Sequence, residues 1–132
     1  MSKLAFAALT SIVAISAFAQ DGVVKMTREE LLSFLPGTKV THISAGGSER
    51  RWTNEPDGSL YANTNNKTYG SITGVQSAGH GGTWKVSDDG KYCINIDWKR
   101  VSENWCASVL KGPGDTYYLN KVDEKHQIIF VK

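Results

Sequence analysis

The two cysteines, Cys93 and Cys106, are the residues whose type and spacing point most directly to a chemistry. They could form a redox pair, bind a zinc ion or join in a disulfide. A redox pair normally has C-x-x-C spacing, and zinc would need further ligands. The three histidines, His42, His80 and His126, do not have ligand spacing. A disulfide is therefore the favoured prediction, and no metal site or cofactor is expected.

The segment that carries both cysteines has the pattern of a β-hairpin with a tight turn at residues 99–100. This turn places Cys93 directly opposite Cys106. Opposed residues on paired strands have Cβ atoms about 4.5–5.5 Å apart, near the roughly 3.5–4.5 Å that a disulfide needs. In an exported protein such a pair is expected to be oxidised. A closed loop of this size stabilises the fold by about 3 kcal/mol in the entropic model.

The same register assigns the hairpin residues to two faces. The apolar face is the predicted core and consists of Tyr92, Ile94, Ile96, Trp98, Trp105, Ala107 and Val109. A polar strip of Asn95, Asp97 and Asn104 lies beside the cysteines on the other face. This strip is a solvated sheet surface if it faces water, and a binding pocket if the sheet curls the other way. A slip of one residue would exchange the faces.

His80 is the candidate for catalysis, because it lies in the glycine-rich stretch QSAGHGG. A histidine there could act as a general base, and the neighbouring backbone N–H groups could bind an anion. The simpler interpretation is a solvent-exposed loop residue. The chain has no G-x-S-x-G elbow, Walker lysine or G-x-G-x-x-G pattern, and the acidic pairs 88–89 and 123–124 fall in predicted turns. A small hydrolase using His80 with a nearby carboxylate is therefore the alternative hypothesis.

Aromatic residues favour a binding function. The chain has four tryptophans and five tyrosines, and Trp52, Tyr61 and Tyr69 fall in its polar, asparagine-rich half. Aromatic and asparagine side chains suit a sugar or a protein partner, although they could also fill a small barrel and its rim. We therefore expect an exported, non-enzymatic binding or inhibitor-like domain acting on a protein, glycan or small ligand of the cell envelope. A purely structural envelope protein is a third possibility.

One helix and a series of short strands must position these residues. The stretch MTREELLSFLPG predicts a helix that starts with a capping box of Thr27 and Glu30, ends at Pro36-Gly37, and plugs one end or edge of a sheet. The β-like runs then cover residues 39–44, 50–53, 60–63, 69–75, 83–87, 92–98, 104–110, 116–122 and 126–131. Short turns between them predict an all-β antiparallel meander of about eight strands. A small barrel-like or strongly curled sheet is favoured, and a two-layer sandwich is the alternative.

The N-terminus and the charge limit where the protein acts. Residues 1–19 have the pattern of a signal peptide, with an apolar run followed by an A-x-A cleavage site, so residues 20–132 are the expected mature domain, periplasmic or secreted. The sequence has no second apolar run of about 20 residues, so no membrane span is predicted. Lys and Arg number 15 against 13 Asp and Glu, which argues against a nucleic-acid partner. The run 49–51, Glu-Arg-Arg, is predicted to be a solvated strand edge.

The segment GTWKVSDDGKYCINIDW…ENWCASVLKGPGDTYYL resembles a family of small exported bacterial proteins that carry a domain of unknown function. The resemblance covers roughly residues 27–132 and lies in the G-T-W strand, the D-G turn, the Cys…Trp…Cys hairpin and the Tyr-Tyr strand. It implies a compact periplasmic or secreted β-domain with an intramolecular disulfide, and no activity. The G-T-W at residues 82–84 is also similar to the lipocalin G-x-W, but here it lies past the midpoint of the chain, so only an analogy of barrel packing follows.

Overall fold

The computed structural model describes residues 22–44, 46–64, 80–99 and 101–132. Within these ranges the chain forms one α-helix, two short 3-10 helices (Pro113–Asp115 and Glu124–His126) and ten strands, and all of these strands belong to a single antiparallel sheet. Helix α1 spans Arg28–Phe34. The strands are β1 (Val24–Lys25), β2 (Lys39–Ile43), β3 (Glu49–Thr53), β4 (Ser59–Thr64), β5 (His80–Val86), β6 (Tyr92–Asp97), β7 (Ser102–Ala107), β8 (Val109–Lys111), β9 (Tyr117–Leu119) and β10 (Gln127–Val131).

The sheet curls strongly, because its last strand in spatial order continues along the chain directly into the second strand of that order. The order is β1-β8-β9-β10-β2-β3-β4-β5-β6-β7, and only Ser108 separates the end of β7 from the start of β8. The sheet must therefore bend back on itself into a half-barrel. This confirms the predicted all-β, curled meander, and the described strands form one layer rather than the two of a sandwich.

The strand count differs from the prediction at Ser108, which divides the expected strand 104–110 into β7 and β8. The Ser108 N–H donates to the side-chain oxygen of Asn120 at 2.9 Å, and the Asn120 N–H donates to the Ser108 carbonyl at 2.8 Å. These two bonds turn the chain away from β6 and towards β9. The short strand β1 was not predicted, and it pairs with β8 through Val24 and Lys111.

Several predictions concern residues outside the described ranges. These are the signal peptide at residues 1–19, the strand at 69–75 with its candidate binding residue Tyr69, and position 100 of the hairpin turn. They stay predictions.

Helix α1 starts at the predicted capping box. The Thr27 hydroxyl accepts a hydrogen bond from the Glu30 N–H at 3.1 Å, and the Glu30 carboxylate accepts one from the Thr27 N–H at 2.8 Å. Leu31 and Leu35 are completely buried, and the Phe34 ring lies in the hydrophobic cluster against β9 and β10. The helix therefore packs into the core as predicted and covers the end of the sheet at which β2 begins. The β2–β3 turn and the β6–β7 turn lie at the opposite end.

The cysteine hairpin has the predicted register. Cys93 lies opposite Cys106 and forms a disulfide with it, and their Cα atoms are 4.0 Å apart. The turn closes with a hydrogen bond from the Trp98 N–H to the Val101 carbonyl at 2.9 Å. The predicted apolar face points inward, because Tyr92, Ile94, Ile96, Trp98, Ala107 and Val109 are all buried. The disulfide and the polar strip are consequently on the outer face of the sheet.

Gly82 is required by the close approach of β5 to β6. A Cβ at this position would collide with the carbonyl oxygen of Asn95 and lie 3.0 Å from the Cα of Ile96. Both of these atoms belong to the backbone, so neither can move aside without distorting the sheet. The adjacent Gly81 has open space where its Cβ would be.

We expect Gly82→Ala to lower the free energy of unfolding by about 3 kcal/mol or more, because the added methyl overpacks against fixed backbone. The matched control Gly81→Ala should change it by less than about 0.5 kcal/mol. Urea denaturation of the two variants measures both values. Equal midpoints for the two variants would show that the β5–β6 spacing is not as tight as the structure has it.

Candidate functional site

A partly buried ion pair between Arg50 of β3 and Glu103 of β7 crosses the interior of the curled sheet. Both terminal nitrogens of the Arg50 guanidinium donate to the carboxylate, with Nη2 at 2.6 Å from Oε2. The side chains are only 10% and 17% exposed. Strands β4, β5 and β6 lie between β3 and β7 in the sheet, so the pair connects distant walls. The prediction that residues 49–51 form a solvated strand edge is therefore wrong for Arg50.

Glu103 accepts two further hydrogen bonds from tryptophan side chains. The indole N–H groups of Trp98 and Trp105 lie 2.9 Å and 2.6 Å from its two oxygens. Together with the two bonds from Arg50, they bring the total to four N–H bonds, which fill the roughly four acceptor positions of a carboxylate. Burial by itself raises the pKa of Glu103, but the hydrogen bonds and the Arg50 charge outweigh burial and hold the pKa below its usual value. Glu103 is thus ionised at neutral pH.

His42 of β2 completes this cluster. Its Nδ1 lies 2.9 Å from Nη2 of Arg50. Burial and then the positive charge of Arg50 lower the pKa of His42 from 6.5 to about 4. The imidazole is therefore neutral at pH 7, Nδ1 accepts the Arg50 hydrogen bond, and the ring proton is on Nε2. The ring also lies 6.0 Å from that of Trp105, across the interior.

A second buried polar network lies nearer the helix. The Trp52 indole N–H donates to the Tyr92 hydroxyl at 2.9 Å, which donates to the Asn54 side-chain oxygen at 2.6 Å. Asn54 in turn donates to the Thr38 hydroxyl, which donates to the carbonyl of Leu35 at the end of α1. Burial raises the pKa of Tyr92, so its hydroxyl stays protonated. This network connects the helix to the interior of the sheet.

A cavity of about 470 Å³ opens at the end of the sheet opposite the helix. Arg50 and Glu103 form its charged part, and Trp98 and Val101 form its apolar part. The other described side chains that border it carry hydroxyl or amide groups, and they are Ser44, Ser48, Thr64, Ser102 and Asn104. Among the described residues, the wall thus combines apolar surface with hydroxyl groups and one ion pair.

The predicted polar strip lies on the outside of the hairpin. Asn95, Asp97 and Asn104 are all exposed. Asn95 and Asn104 lie opposite each other and border a second concavity of about 490 Å³ beside the disulfide. Asp97 accepts a hydrogen bond from the Lys99 N–H at 2.9 Å and so stabilises the turn. Of the three, Asn104 also borders the cavity at the open end.

Two of the three predicted aromatic binding residues, Trp52 and Tyr61, border one concavity on neighbouring strands. Trp52 is buried in the core, where its indole is hydrogen-bonded to Tyr92, so its side chain is not available at the surface. Tyr61 is 65% exposed on the outer face of β4, and the concavity beside it has a volume of about 350 Å³. The two side chains point to opposite faces of the sheet. The third candidate, Tyr69, lies outside the described ranges.

His80, the candidate general base, begins β5 and lies opposite Ala62. Its ring centroid is 5.2 Å from that of Trp98, which borders the cavity at the open end. The structure therefore places His80 next to the aromatic wall of this cavity, although the sequence assigned it to a loop. The hydrolase hypothesis stays a prediction.

The central residues of the cluster were missed by the sequence analysis, although the strand alternation contained a signal. In the hairpin register Glu103 shares a face with Trp105 and Ala107, and in β3 Arg50 shares a face with Trp52. A charged residue at a core-facing position is rarely buried unless it is paired. One such position of each sign indicates a buried ion pair.

Three further observations concern the part of the chain that the structure describes. In these ranges no group of three or more His, Cys, Asp or Glu residues could hold a metal ion. None of the described helices has the length and apolar composition needed to cross a membrane. The disulfide fits a protein of a non-cytoplasmic, oxidising compartment.

Residues 9–110 match a family whose description is "Protein of unknown function (DUF995)". The match covers well over half of the chain, so the chain belongs to this family. The assignment confirms the resemblance to proteins that carry a domain of unknown function, and it implies no activity. No curated protein matches the chain, and no solved structure matches it either.

We expect Glu103→Gln to lower the free energy of unfolding by about 1–3 kcal/mol, because it leaves the partly buried charge of Arg50 without a counter-ion. Glu49→Gln is the matched control, because Glu49 pairs with the exposed Arg51. This substitution should lower the free energy of unfolding by less than about 1 kcal/mol. Chemical denaturation at pH 7 measures both. Similar losses in the two variants would contradict a buried pair.

The lowered pKa of His42 predicts that the free energy of unfolding decreases as the pH is lowered from 7 towards 4. Between the unfolded pKa of 6.5 and the folded pKa of about 4, the unfolded chain binds more protons than the folded chain. The free energy of unfolding should therefore decrease by about 2 kcal/mol from pH 7 to pH 5 through this group. His42→Gln, which keeps an acceptor for Arg50, should remove that decrease, and His126→Gln should keep it. An unchanged pH slope in His42→Gln would refute the assignment.

Proposed function

We propose that the protein is an exported, non-enzymatic binding protein of the cell envelope and that its ligand site is the cavity at the open end of the sheet. The observation that carries this proposal is the cavity of about 470 Å³ with Arg50 and Glu103 in its wall. Small-molecule sites generally have volumes of about 300–1,000 Å³ and contain a few precisely placed polar groups. This cavity meets both criteria.

The preorganisation of the wall supports binding. Glu103 holds Arg50, Trp98 and Trp105 through four N–H bonds, so the three side chains share one rigid anchor. The disulfide cross-links β6 to β7, the strand that carries Glu103. A site that is already in its binding geometry loses less entropy when a ligand enters.

Proton transfer is less well supported than binding. A general acid or base works best when its pKa is near the operating pH. The pKa of Glu103 is held below its usual value, and that of His42 is about 4. The hydrolase hypothesis needs His80 to act with a carboxylate, but Glu103, the carboxylate that borders this cavity, has its acceptor positions filled by N–H groups. The cluster is therefore better suited to binding a ligand than to transferring a proton.

Two observations support an exported location, periplasmic or secreted. Residues 1–19 have the pattern of a signal peptide. The chain also contains a disulfide, which persists in oxidising compartments. The ligand proposed here is accordingly one that is present outside the cytoplasm.

The proposal is tested by exposing the mature protein, residues 20–132, to a size-filtered small-molecule extract of the cell envelope and identifying retained compounds by mass spectrometry. We expect wild type to retain at least one compound that Val101→Trp does not, because the indole fills the cavity. Val122→Trp is the matched control, since both valines are exposed, at 58% and 48%, but Val122 is not on this cavity.

Retention that is equal in wild type and both variants would place binding outside the cavity and contradict the proposed site. The absence of any retained compound from wild type would contradict the binding function itself. Circular dichroism of each variant should match wild type, which shows that the comparison is between folded proteins.

A further inference from the structure

We infer that the outer face of β2, β3 and β4 carries a second ligand site, and that this site binds an acidic sugar, a glycan whose rings bear carboxylates. The site goes beyond the function proposed for the cavity at the open end, because the described residues that border the two concavities are different. Four exposed side chains carry the inference, and they are Lys39, Arg51, Tyr61 and Asn63.

The strand register places these side chains around Arg51. Arg51 lies opposite Thr41 of β2 and opposite Asn63 of β4. Lys39 precedes Thr41 by two residues and is therefore a diagonal neighbour of Arg51 on the same face. Tyr61 precedes Asn63 by two residues and is a second diagonal neighbour. Diagonal neighbours are about 7–8 Å apart, a distance that long and aromatic side chains span. The four side chains therefore border one concavity, of about 350 Å³.

The two cations of this concavity favour an anionic ligand. The Arg51 side chain is 68% exposed, and Lys39 is exposed as well. Arg51 pairs with Glu49 of its own strand through Nη2. An exposed ion pair of this kind contributes little, and a guanidinium has about five N–H donors. A ligand carboxylate can therefore bind Arg51 while Glu49 stays in place, and Lys39 adds a second positive charge.

The exposed aromatic ring and the amide favour a sugar over other carboxylates. Tyr61 is 65% exposed, so its ring offers apolar area to the C–H face of a sugar ring and its hydroxyl offers a hydrogen bond. The exposed Asn63 amide has both a donor and an acceptor for sugar hydroxyls. An acidic peptide would satisfy the cations but would not need this pairing of a ring with an amide.

The neighbouring strand leaves room for a ligand of more than one ring. Tyr61 lies opposite Gly81 of β5. Gly81 has no side chain, and the space where its Cβ would be is open. The ring of Tyr61 is consequently not covered from this position of β5. A second sugar unit can extend over Gly81 while the first one holds its carboxylate at Arg51.

The experiment is a titration by saturation-transfer NMR with the mature protein, residues 20–132, and probes that differ only in charge. The acidic probes are trisaccharides of galacturonic, glucuronic and mannuronic acid, and the neutral probes are their methyl esters. We expect at least one acidic probe to bind and its methyl ester to bind at least about tenfold more weakly. Added salt should weaken the acidic probe, because the charges of the site are exposed and screened.

Substitutions on the outer face locate this binding. Tyr61→Ala should weaken it several-fold and Tyr61→Phe should keep it, because phenylalanine retains the ring. Arg51→Gln and Lys39→Gln should each weaken it by removing a cation. Lys85→Gln is the matched control, since Lys85 is an exposed lysine of β5 that borders a different concavity. Val101→Trp should leave the binding unchanged, which separates this site from the cavity at the open end.

Three results would overturn the inference. Equal binding of an acidic probe and its methyl ester would refute the charge of the ligand. Polyglutamate represents an acidic peptide, and if it binds as tightly as the sugars and equally well to Tyr61→Ala, the sugar class is wrong. If no acidic probe binds, or if binding is lost in Val101→Trp and kept in Arg51→Gln, the outer face is not the site. The function proposed for the open end is judged separately, by the extract compounds that Val101→Trp fails to retain.

Discussion

The ion pair between Arg50 and Glu103 is the interaction on which the rest of the structure depends. Two charges that leave water must compensate each other, and these two do so across the interior, 53 residues apart in the chain. The pair therefore constrains how far the sheet curls, since β3 and β7 must approach closely enough for a bidentate contact. It also orients Trp98 and Trp105, because Glu103 is the acceptor for both indoles.

The interior is organised as two polar networks at different depths. The network of Tyr92, Trp52 and Asn54 lies towards α1, and the Arg50–Glu103 cluster lies towards the open end. The rings of Tyr92 and Trp105 pack edge to face between the two networks, with their centroids 5.8 Å apart. One end of the sheet is thus closed by the helix and its network, while the charged cluster is left at the wall of a cavity. This asymmetry places the candidate site at one end only.

The features that were predicted from the sequence depend on short-range chemistry. The capping box of Thr27 and Glu30 needs residues three apart, and the Cys93–Cys106 register follows from a turn within the hairpin. The alternation of side chains likewise identified the buried face correctly. The division of a strand at Ser108 was not predicted, because its cause is the side chain of Asn120, twelve residues further on. Local patterns contain no information about such a partner.

The sequence by itself determined which residues share a face, where the helix begins and which cysteines pair, because strand alternation, capping and turn geometry act over a few residues. Only the tertiary structure decided that Arg50 lies inside rather than at a solvated edge, and that its partner is Glu103. The physical reason is the cost of burying a charge. It makes Arg50 tolerable in the interior only where a carboxylate from a distant strand is brought within hydrogen-bonding distance, and the curl of the whole sheet determines that distance.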